Sequence, residues 1–315
     1  MRVLISNDDG VDAPGIWALH QEISRFADTT VAAPASERSA AGHSISVYNE
    51  ITLREHIREE RSWAYGIDGT PADCVKMGLS VLMKDNPPDL VISGINRGQN
   101  TGTSIIYSGT VAAALEATMS GLPAIAVSLA ILSLYQSETP SGEVLSAAAD
   151  SQPSPYGGMY KQIKQLARAH EDYAFAARFT ARLARIVARR GLPRGILLNV
   201  NIPFVPESEI RGVAISKMGH SVFVDEFKVT GETAGLVAYK NIGNRLILSH
   251  EGDDWDDLVL RDRKISITPL HYDLTHHHFI DELKKWWEEE EKEARELGAG
   301  IAFDLSRDLG AEIIG

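Results

Sequence analysis

The sequence predicts an α/β fold: a Rossmann-like, mostly parallel sheet flanked by helices, followed by a smaller C-terminal β extension and a helical tail. Two observations carry this expectation. Short apolar runs alternate with helical patterns through roughly the first 200 residues, which is the signature of βαβ units. Several of those runs end abruptly in loops rich in Asp, Asn, Ser and Gly, as strands do where an open α/β sheet receives a ligand.

The first strand, Val3–Ser6, runs into Asn7-Asp8-Asp9-Gly10, and Ala13-Pro14-Gly15 leads into a helix over Gly15–Phe26. Strands Thr30–Ala33, Leu90–Ser93, Ala124–Ser128 and Ile196–Val200 alternate with helices Pro71–Met83, Thr110–Ser120 and Tyr173–Arg190. Thr70 can cap the second helix, Pro71 suits its first turn, and Asp73 favours the positive end of its dipole. From Leu134 to Gly158 the composition shifts to Ser, Pro, Gly and Ala, which predicts an exposed or partly disordered insertion. Strand-like pieces at Val213–Lys217, Leu246–Ser249 and Lys264–Thr268 fit a small antiparallel extension. From Phe279 onward an exposed helix is expected, with Leu283, Trp286, Trp287 and Ala294 on a packing stripe. The chain thus divides into a catalytic core over residues 1–205, with an insertion at 134–171, an extension or oligomerisation arm over 206–275, and an acidic helical tail over 276–315.

Composition narrows the function. The chain of 315 residues is 44% hydrophobic and carries a net charge of −12. Half of that charge falls in the tail after Ile280, and no basic block exists that would track a nucleic-acid duplex. The longest apolar stretch, around Ala124 to Tyr135, is too short to span a bilayer. The absence of a secretory signal and the single cysteine, Cys74, fit a cytoplasmic protein.

Four loops carry candidate chemistry. Asp8 and Asp9 are adjacent at a strand end, where repulsion and dehydration favour a bound cation. The loop Pro34 to Ser44 contains hydroxyls, Arg38 and His43. A third loop, Ser93-Gly94-Ile95-Asn96 through Gly102, offers Asn96 as a neutral oxygen ligand and glycines that allow close backbone approach. In the fourth, Ser108, Gly109 and Thr110 open a helix, where unsatisfied amides make an anion site. A hard divalent cation beside such a site suits phosphoester hydrolysis, because it polarises phosphoryl oxygens and lowers the pKa of an attacking water. Asp9 is the candidate acceptor of that water's proton.

At this level of detail the sequence resembles the SurE family of metal-dependent nucleotidases, the survival-protein phosphatases. The resemblance rests on Ser6-Asn7-Asp8-Asp9-Gly10, Pro34 to Ser39, Gly69 to Val75, Ser93-Gly94-Ile95-Asn96, Tyr107 to Val111, Leu198 to Pro203 and Ser266 to Leu270. It implies hydrolysis of nucleoside 5′- or 3′-monophosphates with one divalent cation, Mg or Mn, per subunit. It places the metal ligands on Asp8, Asp9, Ser39 and Asn96, with Asp8, Asp9 and Asn96 as the catalytic set. It assigns the phosphate to Asn100, Ser108, Gly109 and Thr110. It also implies a cytoplasmic homodimer or homotetramer, with no membrane or nucleic-acid partner. The long insertion, the acidic tail, and the lack of an aromatic run between Val229 and Asn244 depart from the family pattern.

Other residues are set aside. His276-His277-His278 is expected to be solvated surface, Cys74 a core residue rather than a nucleophile, and Asp253 to Asp257 a solvated acidic turn without EF-hand spacing. Two rival functions are a metal-dependent nucleoside N-ribohydrolase and a non-catalytic nucleotide-binding scaffold.

Overall fold

The computed structural model describes residues 1–58, 61–132, 169–241, 245–248 and 254–296. Most of the expected insertion, Leu297 of the tail, Ser249 and Asp253 lie outside the described residues. Met1–Tyr272 form one compact unit and Asp273–Gly315 a second.

In the first unit the strands are β1 (Arg2–Ser6), β2 (Asp28–Pro34), β3 (Leu53–Arg58), β4 (Arg61–Ile67), β5 (Leu90–Arg97), β6 (Ala124–Ala130), β7 (Ile196–Pro203), β8 (Val213–Ile215), β9 (Val222–Val224), β10 (Phe227–Thr233), β11 (Leu236–Asn241), β12 (Arg245–Ile247) and β13 (Ile265–His271). Its helices are α1 (Pro14–Ile23), α2 (Pro71–Met77), α3 (Gly109–Met119), α4 (Ala174–Arg190) and α5 (Asp256–Arg261). A sheet of nine strands runs in the order β3-β4-β2-β1-β5-β6-β7-β13-β8. From β4 through β7 every neighbouring pair is parallel, while β3 and β13 run antiparallel to β4 and β7. The chain starts in β1, winds outward through β2 and β4, then returns to β5 on the other side of β1. The sheet order therefore reverses beside β1, which is where doubly wound folds bind ligands.

Strand alternation sorts β1 between two cores. Val3 and Ile5 join the α1 and α4 side with Ile16, Leu19 and Ala184. Leu4 joins the other side with Val75, Val111 and Ala117, as a period of two requires. Helix α3, Gly-Thr-Val-Ala-Ala-Ala-Leu-Glu-Ala-Thr-Met, is buried over most of its surface. Its alanines are what allow a helix to lie so deep against both the sheet and α2.

The five expected core strands and the first four helices all form, most of them longer or shorter by a few residues at their ends. Helix α2 stops at Met77 and continues as a wider turn over Gly78–Leu82. The C-terminal pieces distribute differently from a self-contained extension. Strands β13 and β8 join the central sheet, while β9–β12 and β10–β11 form two small antiparallel ribbons. The β3–β4 hairpin was not expected: Leu-Arg-Glu-His-Ile-Arg is mostly exposed, and its charged residues hide the strand period.

In the second unit α6 spans His277–Glu296. Its Trp286 and Trp287 indoles donate to Glu282 and Glu291 at 3.0 and 2.9 Å, and Phe279 meets Trp286 edge-on at 5.1 Å.

Thr70 and Asp73 form a reciprocal cap at the start of α2. The Asp73 amide donates to Thr70 Oγ1 at 3.1 Å, and the Thr70 amide donates to Asp73 Oδ2 at 2.9 Å. Asp73 also accepts from the Ser46 amide and hydroxyl. Burial works to raise its pKa, but these hydrogen bonds outweigh burial and hold it below the ordinary value. Asp73→Ala should therefore lower stability by about 1–2 kcal/mol at pH 7, read by urea denaturation. Because the folded pKa is depressed, the wild-type advantage is complete above about pH 5 and shrinks as pH falls through the folded value. A gap independent of pH would contradict the assignment.

Candidate functional site

At the end of β1 the chain makes a closed turn. Asn7 Nδ2 donates to the Gly10 carbonyl at 2.8 Å, and the Gly10 amide donates back to Asn7 Oδ1 at 3.2 Å. Asn7 is thereby structural, and Asp8 and Asp9 are the residues the turn presents. Asp8 is buried. Its Oδ1 accepts from the Thr110 hydroxyl, and its carbonyl accepts from the Arg38 amide at 2.8 Å. Asp9 Oδ2 accepts from the Arg97 amide at 2.9 Å. Burial is the largest force on both carboxyls and pushes their pKa values up, that of Asp9 to about 7. The Asp8 charge raises Asp9 further, and Glu37 adds repulsion to both.

A cleft of about 650 Å³ opens here. Asp8, Ser39, Asn96, Arg97, Asn100 and Ser108 are among its lining residues, so the cleft includes three of the four expected metal ligands. Asn96 commits its amide NH₂ to the Gly98 carbonyl at 2.8 Å. The exposed Ser39 hydroxyl donates to Glu37 Oε1 at 2.8 Å. Asp9 stands off the cleft wall, beside Asp8.

The expected phosphate residues separate into two roles. Asn100 and Ser108 line the cleft, and Ser108 also caps α3 by accepting from the Val111 amide at 3.1 Å. Thr110 is fully buried and off the wall, with its hydroxyl given to Asp8. The first turn of α3 packs directly on Asp8, so this side chain faces β1 rather than the cleft. Gly109 marks the same contact: a Cβ there would lie 2.7 Å from Asp8 Cβ and 2.9 Å from Asp8 Oδ2.

Behind the cleft, polar side chains pin the glycine-rich loop. The Asn100 amide donates to Asn201 Oδ1, and Asn100 Nδ2 to Ser128 Oγ, each at 2.8 Å. The Asn100 carbonyl accepts from Asn199 and Asn201 at 2.9 Å. The Gly102 amide reaches Asp256 at 3.0 Å, and the Gly219 amide reaches the same carboxylate at 2.9 Å. A Cβ on Gly102 would sit 2.1 Å from Ser221 Oγ, so only glycine permits this approach. Asp256 and Asp257 are fully buried, which corrects the expectation of a solvated acidic turn; burial also pushes the Asp256 pKa up to about 6. Backbone amides far back along the chain satisfy Asp256, and no local pattern announces them. Arg97 was missed too. It lines the cleft, bonds the Tyr173 hydroxyl, and adds positive charge near Asp9 and Glu37.

The donor set fits a hard cation. The cleft lining offers carboxylate, amide and hydroxyl oxygens and neither sulfur nor imidazole, the set preferred by Mg, Mn or Ca. Burial, the largest cause, raises both carboxyl pKa values, and Gly109 lets the start of α3 pack closely against Asp8. Among the described residues no group of three or more His, Cys, Asp or Glu is arranged to hold a metal, so a cation here would need neutral oxygens beside the two aspartates. Cys74 is buried and its thiol pKa is pushed up by burial, which leaves it a core residue.

Fold and site together define a doubly wound α/β protein with a cluster of oxygen donors at the end of β1, beside the N-terminus of a buried helix. The family model described as Survival protein SurE matches residues 3–225, and the chain belongs to the SurE family. It is 40% identical over 284 residues to a protein of Moorella thermoacetica named 5′-nucleotidase SurE, covering 90% of this chain and 95% of that one. A protein of the same name from Carboxydothermus hydrogenoformans is 38% identical over 287 residues, covering 90% and 95%. The crystal structure of the SurE protein from Aquifex aeolicus superposes with a TM-score of 0.68 at 28% identity, covering 91% of this chain and 99% of that one.

Thr110→Val should act on the cation rather than on phosphate. Removing a hydrogen bond to a charged group costs about 1.5–3 kcal/mol, so Mn affinity measured by calorimetry should fall at least tenfold. Inorganic phosphate inhibition at saturating metal should change less. An unaltered metal affinity would contradict the positioning of Asp8 by Thr110.

Proposed function

We propose that this chain is a metal-dependent phosphatase that hydrolyses nucleoside 5′-monophosphates to nucleoside and phosphate, with 3′-monophosphates as secondary substrates. The carrying observation is buried Asp8, with half-buried Asp9 beside it, at a cleft lined also by the oxygen donors Ser39 and Asn96 and by Ser108 at the N-terminus of α3. Membership of the family and the 5′-nucleotidase name of the relatives support the substrate class. The rival N-ribohydrolase and scaffold readings gain no support from either.

One divalent cation, Mg or Mn, is assigned to Asp8, Asp9, Ser39 and Asn96. Bound there, it would supply charge neutralisation and polarisation of phosphoryl oxygens. The remaining work falls to side chains. Asn100 and Ser108, with the amides that open α3, bind and orient the phosphate. Arg97 adds fixed positive charge to the same wall. Thr110 holds the Asp8 carboxylate in place, and Asp9 takes the proton lost by the attacking water. Catalytic roles are thus proposed for Asp8, Asp9 and Asn96, and substrate contacts for Asn100, Ser108 and Gly109.

A cytoplasmic location is supported by the single, buried cysteine, and no helix among the described residues is long and apolar enough to cross a membrane. A homodimer or homotetramer is supported by the β10–β11 hairpin, on which Phe227, Leu236 and Tyr239 stand exposed. On this reading the oligomerisation arm lies within residues 206–275.

Phosphate release from a nucleotide panel should appear with Mg or Mn and vanish on chelation. Asp8→Asn and Asp9→Asn should each lower kcat/KM at least a hundredfold while circular dichroism stays native. Near-native turnover by either variant at limiting metal would overturn the assignment.

A further inference from the structure

We propose that His43 is a positioning residue: by its hydrogen bond to the buried Glu116 of α3, it holds the loop after β2 in the shape that presents Ser39 to the cation. The proposal rests on the assignment of Ser39 as a metal ligand and names what keeps that residue in place.

Ser39 needs such a hold. It is exposed, and the backbone beside it is unfavourable: Ala40 has a φ of 58°, and Gly42 has the same value. The left-handed region is costly for a residue with a Cβ, so an exposed chain keeps this shape only if its surroundings fix it. The span is fixed at both ends. On the β2 side the Arg38 amide donates to the Asp8 carbonyl at 2.8 Å, and Arg38 Nη2 donates to Asp68 Oδ1 at 2.7 Å. On the far side the Gly42 amide donates to the Tyr107 carbonyl at 3.2 Å, and His43 Nε2 donates to Glu116 Oε2 at 3.0 Å. Ser39 and Ala40 are held between these anchors.

Glu116 makes the far anchor firm. It is the one charged residue of α3 and is 4% exposed. A carboxylate so placed is costly unless it is paired. Its Oε2 accepts from His43, and its Oε1 lies 2.7 Å from Lys76 Nζ on α2. Burial works to raise its pKa, but the bonds from His43 and Lys76 outweigh burial and hold it below the ordinary value. Glu116 is therefore an anion fixed between two helices. The other holds on this stretch are the Gly42 backbone bond and the Thr70 hydroxyl, which donates to the Ser44 carbonyl at 2.7 Å. Both are neutral, and a hydrogen bond to an ionised acceptor is the stronger kind. In the first turn of the same helix Thr110 bonds Asp8. One rigid element thus sets the position of Asp8 and of the loop that carries Ser39.

The test uses the full chain and reads Mn affinity by calorimetry, with circular dichroism and Tm in chelator as checks on folding. His43→Ala should weaken Mn binding at least fivefold, in keeping with the loss of a hydrogen bond to a charged group. His43→Gln, whose amide can donate to the same carboxylate, should stay within twofold of wild type. In a Ser39→Ala background His43→Ala should change Mn affinity less than twofold, because the ligand it positions is already gone. A His43→Ala variant that binds Mn as wild type does, with or without a lower Tm, makes the contact a fastening of the fold alone and overturns the proposal. An equal loss in the Ser39→Ala background, or a His43→Gln variant as weak as His43→Ala, overturns it too. If Asp8→Asn abolishes Mn binding and Ser39→Ala weakens it while His43→Ala does not, the metal assignment stands and the role of His43 fails. If wild type binds no Mn, or if Ser39→Ala binds it as tightly as wild type, the assignment of Ser39 fails and the role of His43 falls with it.

Discussion

Two carboxylates held side by side at the end of a strand, one buried and the other partly so, repel each other and lose part of their water. Asp8 and Asp9 are in that position, and the surrounding structure is arranged around their charge. The Thr110 hydroxyl and the Arg97 amide each take one carboxylate oxygen. The Arg38 amide ties the loop after β2 to the Asp8 carbonyl. Gly109 brings the start of α3 against the Asp8 side chain, at a separation that any other residue would disrupt. Hydrogen bonds of this kind orient the pair, and the proposed cation would add positive charge beyond that of Arg97.

The topology explains why these contacts can converge. Strands β1 and β5 are neighbours at the reversal of sheet order, so the turn after β1 and the loop after β5 share one rim. Helix α3 follows the loop after β5 and starts beneath it. The same loop is then gripped from behind by Asn199 and Asn201 on β7 and by Asp256 on α5. Hydrogen bonds thereby tie the loop after β5 to β7, to α5 and to the segment at Gly219. A disturbance at Asp256 would reach both the Gly102 loop and the Gly219 segment.

The parallel core was legible because its signals are local. Apolar strands such as Leu90–Ser93 stand out from their surroundings, and Thr70-Pro71-Ala72-Asp73 is a helix start that the structure reproduces as a reciprocal cap. The adjacent aspartates and the Ser-Gly-Thr turn also identified the rim. What sequence could not show was direction. Thr110 and Ser108 are two residues apart, yet one faces Asp8 and the other the cleft, because the first turn of a helix rotates about 100° per residue. Asp256 was misread for a related reason: its partners are the amides of Gly102 and Gly219, and long-range hydrogen bonds leave no mark on the residues around an acid. The charged β3–β4 hairpin and the split of the C-terminal strands between three sheets depended likewise on tertiary context.

The proposed binding of a cation at Asp8 and Asp9 is tested most directly by thermal unfolding in chelator and across a Mn titration. Wild-type Tm should rise with the logarithm of metal concentration above the dissociation constant, as binding to the folded state requires, and Asp8→Asn should show no such rise. A wild-type Tm indifferent to metal, or an equal rise in Asp8→Asn, would contradict the assignment of the cation to this pair.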